Sequence, residues 1–254
     1  MNGDWLSSYI AEADRRYEAM HISVTQTVNL AIYKSVLKHW RMNPSTQATL
    51  ASPMFRESVR RSHWNVWLSR PYRRKIDYYR PPGMLIEMTG GDESQYWQAF
   101  PASKTYHVTE KYEQLPADEA SAPWPYFRTW LPPAVSELIY PAFIWEQPEG
   151  YRSDPVISVT GSAKVLNRDV IVASLDVADW ETRAVSWSET IFPAEHQELL
   201  IDRETGILLR VRSMSGSRLV SSCTVDDIVF DDTVDPGFFS VLDWIGEDWI
   251  ADGK

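Results

Sequence analysis

The chain has 254 residues, ordinary apolar and charged fractions and a net charge of −10, which exclude wholesale disorder and argue against general binding to nucleic acid or anionic membranes. Its single cysteine, Cys223, excludes an intrachain disulfide and cysteine-rich zinc motifs. Twelve tryptophans and twelve tyrosines suit either a Trp-rich core or a large, partly solvated apolar surface such as a ligand groove.

Asp4 can cap an amphipathic helix whose apolar positions Trp5, Leu6, Tyr9, Ile10, Ala13 and Tyr17 fall at helical spacing. β-Branched residues favour a strand from Ile22 to about Tyr33, with a short helix near 35–40. Residues 43–53 read as a polar loop, and 54–62 are ambiguous. A run of strands follows. In 64–68, Trp64, Val66 and Leu68 share one face; in 73–79, Ile76 and Tyr78 do. Pro81-Pro82-Gly83 is a turn. Met84, Ile86 and Met88 then alternate with Leu85, Glu87 and Thr89. Gly90-Gly91-Asp92 turns the chain into 94–100, and 101–104 reverse it into 105–109.

Residues 111–123 form a polar linker within the domain. Ala134, Val135, Leu138, Ile139 and Ala142 at helical spacing predict a helix over 132–144, entered at Pro132-Pro133 and kinked or ended by Pro141. Strands are expected at 155–160, 162–166, 170–177 and, more weakly, 187–192. The segment 198–239 is the most informative. Gly206 and Gly216 each supply the positive φ of a hairpin turn, giving consecutive antiparallel strands at 198–201, 207–214 and 219–230. A late meander of this kind belongs to a sheet protein and not to a βαβ enzyme. The acidic, aromatic segment 241–250 reads as a short helix over a sheet edge.

The chemistry-bearing residues are dispersed. The five histidines (His21, His39, His63, His107 and His196) show no three- or four-residue spacing, so no local zinc site is expected. Asp226-Asp227, Asp231-Asp232 and Asp235 lack the spacing and central glycine of an EF-hand loop. Nucleophile elbows, P-loops and dinucleotide fingerprints are absent from the sequence. Cys223 reads as a buried small hydrophobe. The basic cluster Arg70, Arg73, Arg74 and Lys75 reads as a solvated face. The expectation is therefore a protein that is not an enzyme and has no cofactor and no metal. The N-terminus carries neither a basic region nor a long apolar stretch, and no run reaches about 18 apolar residues, so a soluble cytoplasmic chain is expected.

Three stretches carry a family resemblance. They are Trp67-Leu68-Ser69-Arg70-Pro71-Tyr72-Arg73-Arg74-Lys75-Ile76, the hairpin from Gly91-Asp92 through Tyr96-Trp97-Gln98-Ala99-Phe100-Pro101, and Leu200-Ile201-Asp202-Arg203-Glu204-Thr205-Gly206-Ile207-Leu208-Leu209-Arg210 with the later Asp227-Ile228-Val229-Phe230 and Asp235-Pro236. Together they resemble the bacterial LolA/LolB-like lipoprotein-carrier superfamily, whose relatives include LppX-like lipoproteins and the sigma-factor regulator RseB. The likeness is closer to actinobacterial-type outer membrane lipoprotein-sorting homologues. It covers most of 64–239. It implies a strongly curved antiparallel sheet, an incomplete barrel with helices as a lid, whose concave face holds acyl chains.

The expected fold is thus a single α+β domain over 1–254: a highly curved antiparallel half-barrel with an N-terminal and a central helix on its concave face. The leading function is non-catalytic binding of a hydrophobic ligand, an acyl chain or a lipid-modified partner. The expected ligand-binding residues are Trp64, Val66, Ile76, Tyr78, Met84, Ile86, Met88, Tyr96, Phe100, Leu138, Ile139 and Phe143. The same residues also fit an ordinary filled core. The alternative function is a protein-interaction or regulatory module that takes a peptide in the same groove or along a sheet edge.

Overall fold

A computed structural model describes residues 4–39, 57–69, 73–92, 95–110, 131–139, 156–176, 195–230 and 234–252. In chain order they form α1 (Asp4–Ala11), β1 (Ala19–Asn29), α2 (Leu30–His39), β2 (Val59–Ser69), β3 (Arg73–Arg80), β4 (Met84–Gly91), β5 (Gln95–Phe100), β6 (Thr105–Glu110), α3 (Pro133–Ile139), β7 (Val156–Val165), β8 (Arg168–Asp176), β9 (His196–Asp202), β10 (Leu208–Ser215), β11 (Arg218–Phe230) and β12 (Ile250–Ala251). Short 3-10 turns occupy Ala13–Arg16, Pro236–Phe239 and Val241–Asp243. The strands make one open twelve-stranded sheet in the order β12-β6-β5-β4-β3-β2-β1-β11-β10-β9-β8-β7. The pairs whose register is defined are antiparallel except β12 with β6. This is the expected α+β class built on a large antiparallel sheet.

Contacts gather the chain into two compact units. The first holds Met1–Asp14, Gln26–Arg61 and Pro132–Thr224; the second holds Arg15–Thr25, Ser62–Leu131 and Val225–Lys254.

In the first unit, β8 to β11 present an apolar and a polar face. Register places Val211, Cys223, Leu199 and Ala173 on a shared face, and all four are buried. Helix α3 packs on β10, and the Cys223 thiol donates to the Ala134 carbonyl at 3.4 Å, which fits the expected buried small hydrophobe. The opposite face carries Arg212 paired with Glu198 at 2.6 Å and His196 with Asp176 at 2.7 Å. That alternation is the pattern of an antiparallel sheet solvated on one side. The expected meander is present: β9 to β11 pair consecutively, with Gly206 at φ 83° and Gly216 at φ 56° in the turns.

The motif at 202–206 is a clamp. Asp202, 1% exposed, accepts from the Thr205 amide at 2.9 Å and hydroxyl at 2.5 Å. It also accepts two bonds from the Arg168 guanidinium, at 2.8 and 3.1 Å. These bonds hold the Arg168 guanidinium firmly protonated and satisfy a charge that burial would otherwise penalise. The α1 residue Tyr9 donates its hydroxyl to the Arg203 carbonyl of the same turn.

Several sequence expectations are corrected here. Two strands expected at 155–160 and 162–166 are one strand, β7, because the chain runs on through Gly161, paired with Val172, with Thr160 as the extra residue of a bulge. Helix α2 starts at Leu30, where the Asn29 side chain accepts from the Ile32 amide at 3.1 Å and ends the β-branched run early. The N-terminal helix stops at Ala11 and continues as a 3-10 turn. Residues 241–250 form a 3-10 turn and the start of β12, not an α-helix. The expected strand at 187–192, the linker at 111–123 and the helix beyond Ile139 lie outside the described residues.

Candidate functional site

The second unit holds most of the expected site residues on β2 to β5. Paired residues in a sheet share a face, so the registers sort them directly. Trp64 pairs with Tyr78 and Val66 with Ile76; Ile76 pairs with Thr89 and Tyr78 with Glu87; Thr89 pairs with Gln98 and Gly91 with Tyr96. This front face therefore carries Trp64, Val66, Ile76, Tyr78, Tyr96 and Phe100. Lys75 pairs with Gly90 and Asp77 with Met88, and Met88 pairs with Ala99 and Gly90 with Trp97. Met88 therefore lies on the back face, opposite Trp64. The register shifts between Tyr78 and Tyr79, Ile86 falls in that bulge, and Met84 stands 56% exposed beside the hairpin turn. The alternation of Met84, Ile86 and Met88 thus does not make one wall.

Of the expected residues, Trp64, Val66, Ile76 and Met88 are buried in this unit, and Leu138 and Ile139 are buried in the first, on α3. Tyr78, Ile86, Tyr96 and Phe100 are half-buried. Phe143 lies outside the described residues. On the front face Trp64 stacks on Tyr78 with centroids 5.7 Å apart, and the buried Arg74 lies over the Tyr96 ring at 5.2 Å. Burial is the main cause that raises the Tyr96 phenol above its ordinary value.

The back face is covered by residues 235–252. Trp97, fully buried, donates its indole N–H to the Phe239 carbonyl at 2.7 Å, and Trp244 donates to the Phe238 carbonyl at 2.6 Å. Val241 completes a cluster with Met88, Trp97 and Ala99. Gly90 lies directly under the Trp97 ring: a Cβ there would fall 2.3 Å from Cζ2, so a side chain at this position would displace the indole.

Lys75 overturns the reading of the basic cluster as a solvated face. It is fully buried, and Arg74 is 8% exposed. The Lys75 ammonium sits 3.8 Å from the Trp244 ring centroid, 4.6 Å from Trp67 and 5.5 Å from Phe238. It donates to Asp77 Oδ1 at 2.5 Å. Burial lowers the Lys75 pKa from its ordinary value, and the Asp77 carboxylate offsets part of that. The ring faces are attractive partners for a desolvated cation.

Further along the same face of β2 and β3 a cavity of about 440 Å3 opens, lined by His63, Asn65, Tyr79, Pro81, Pro82 and Gly83. Tyr79 and the two prolines supply carbon surface; His63 and Asn65 supply polar atoms. His63 Nδ1 lies 3.1 Å from Thr25 Oγ1 and 3.6 Å from Asp226 Oδ2, while Nε2 lies 3.4 Å from Ser23 Oγ. Thr25 in turn donates to Asp226 at 2.6 Å. The Tyr79 phenol is raised above its ordinary value, first by burial and then by Asp77, against a lowering hydrogen bond from Asn65. Sequence reasoning missed this cavity. Its signal was the period-two series His63, Asn65 and Tyr79 facing the Pro81-Pro82-Gly83 turn.

Among the described residues no group of three or more His, Cys, Asp or Glu could hold a metal ion. None of their helices is long and apolar enough to cross a membrane.

No protein-family model and no curated protein matches the chain. It is similar to solved structures that include the Pseudomonas aeruginosa MucA/MucB complex, at 13% identity and a TM-score of 0.43, over 92% of this chain and 60% of that one. Another is the Mycobacterium tuberculosis lipoprotein LppX, at 8% identity and a TM-score of 0.41, over 91% and 97% of the two chains. A third is a LolA superfamily protein from Nitrosomonas europaea, at 9% identity and a TM-score of 0.33, over 94% and 98%. LolA-like and LppX-like proteins are also the ones its sequence motifs resemble.

Proposed function

We propose that the protein binds a hydrophobic ligand, an acyl chain or the acyl group of a lipid-modified partner, and does not transform it. The observation that carries this reading is the cavity of about 440 Å3 at Tyr79, Pro81 and Pro82, a volume within the range of ligand pockets. Its ring carbons suit a chain, and His63 and Asn65 give polar contacts at one side. The motif resemblance to lipoprotein carriers supports the same class of ligand. Trp64, Val66, Ile76 and Tyr78 then form the packed layer that holds β2 and β3 in place behind the cavity. Met84 follows the lining residue Gly83 and is exposed, and its unbranched side chain adapts to varied shapes.

An environment-sensitive fatty-acid probe should bind the folded wild type saturably. Asn65→Asp puts a carboxylate of nearly unchanged shape on the cavity lining, and should weaken uptake of the probe by about tenfold or more. A wild type that is folded by circular dichroism yet takes up no probe would sink the reading.

A further inference from the structure

The cavity is one end of a longer track. The back-face side chains of β3 run Lys75, Asp77, Tyr79. Tyr79 lines the cavity, whereas Lys75 lies under Phe238 and Trp244. Asp77 stands between the two ends on the same face and accepts from Lys75 at 2.5 Å. Beyond Lys75 the covered surface is apolar, made of Met88, Trp97 and Ala99.

What covers it has little structure of its own. Residues 235–252 contain 3-10 turns of four and three residues and a strand of two. They are held down from outside by the Lys75 cage, by the Trp97 bond to the Phe239 carbonyl, by an exposed Lys104–Asp248 pair and by the Ile250 and Asp252 amides on the Lys104 and Tyr106 carbonyls. Leu242 is 72% and Ile250 67% exposed, so part of the segment's apolar surface stays outside. The docked state also keeps an ammonium out of water, a cost that ends when the segment lifts.

We propose that residues 235–252 are a strap that sets the length of ligand the site accepts. A short chain fills the cavity and leaves the strap in place. A longer chain must displace the strap and lie along β3 to β5 over Met88 and Trp97, taking over the contacts of Val241 and Trp244. This inference rests on the binding reading above and adds the element that limits it.

Affinities for fatty acids of increasing chain length test it, with wild type compared with Trp244→Ala and, as a gentler second variant, Phe238→Leu. Hydrogen exchange is followed in parallel. Wild-type affinity should stop rising once the chain outgrows the cavity. The variants should go on gaining about fourfold per added methylene, with protection lost over 235–252 and retained in β8 to β11. Parallel length dependences in all three proteins would overturn the strap and leave the binding reading standing. No uptake by any of them would overturn both. Loss of protection throughout the sheet in both variants would make the segment a fixed part of the core and end the proposal.

Discussion

The first unit keeps its buried charge at a turn, and the second carries one into the middle of a sheet face. In the first, Asp202 is 1% exposed and accepts four hydrogen bonds, two from Thr205 and two from Arg168. Every partner lies in the adjacent turn or strand, so β8, β9 and the turn after β9 assemble the site. In the second, Lys75 has Asp77 two residues away, but two of its three aromatic neighbours come from the C-terminal segment. The first arrangement fastens a local turn. The second makes burial of a charge depend on a distant piece of chain, and that is where a movable element can be fastened or released.

The largest effect that tests this contrast is Lys75→Met. It leaves the Asp77 carboxylate buried without its cation, and should cost ~3–5 kcal/mol of stability in chemical denaturation. Adding Asp77→Leu should recover most of that loss, because a buried pair replaced by apolar groups is close to neutral. The exposed Arg212–Glu198 pair of the first unit, broken by Arg212→Met, should cost under about 1 kcal/mol. Equal losses at the two pairs would erase the distinction.

Next in size is Leu138→Ala in α3. Leu138 is fully buried, so the cavity left behind should cost about 2–5 kcal/mol. A loss under about half a kcal/mol would place Leu138 in a mobile cover and not in the core of the first unit.

The smallest and sharpest test is the pH dependence of the strap. The Lys75 pKa is lowered in the fold, so in the window from its folded value up to the ordinary value of about 10.4 the unfolded state binds more protons. Stability from this group should therefore rise with pH through that window. Tyr79 is raised, so its contribution has the opposite sign, and only above about pH 10. Hydrogen-exchange free energies of 235–252 should climb with pH below about 10 in wild type and lose that slope in Lys75→Met/Asp77→Leu. An unchanged slope in the double variant would assign the dependence to other groups.

The sequence made the meander of β9 to β11 legible, because Gly206 and Gly216 punctuate alternating runs and the pairing is local. The same holds for the hairpins from β3 to β6. Three other features depended on geometry that alternation does not encode. The bulge beside Tyr79 broke the series Met84, Ile86, Met88, so residues read as one wall fall on two faces. The expected break between 155–160 and 162–166 is no break, because Thr160 is an extra residue inside one strand. Lys75 looked solvated because its burial is decided by Phe238 and Trp244, near the other end of the chain. The Lys75, Asp77, Tyr79 series on one face was the available hint: opposite charges two residues apart on a strand are neighbours on the same face and can share a dry environment.

The bulge in β7 has a consequence outside the molecule. As the last of the described strands in the order, β7 ends their ladder, and a long flat edge of that kind is a template on which another chain can add. The register shift between Val159 and Gly161 twists the edge out of a plane, and the exposed Lys164 places a charge along it. Both are devices against self-association. Deleting Thr160 to restore a regular ladder would flatten that edge, and the protein would begin to aggregate while each folded copy kept its own interior.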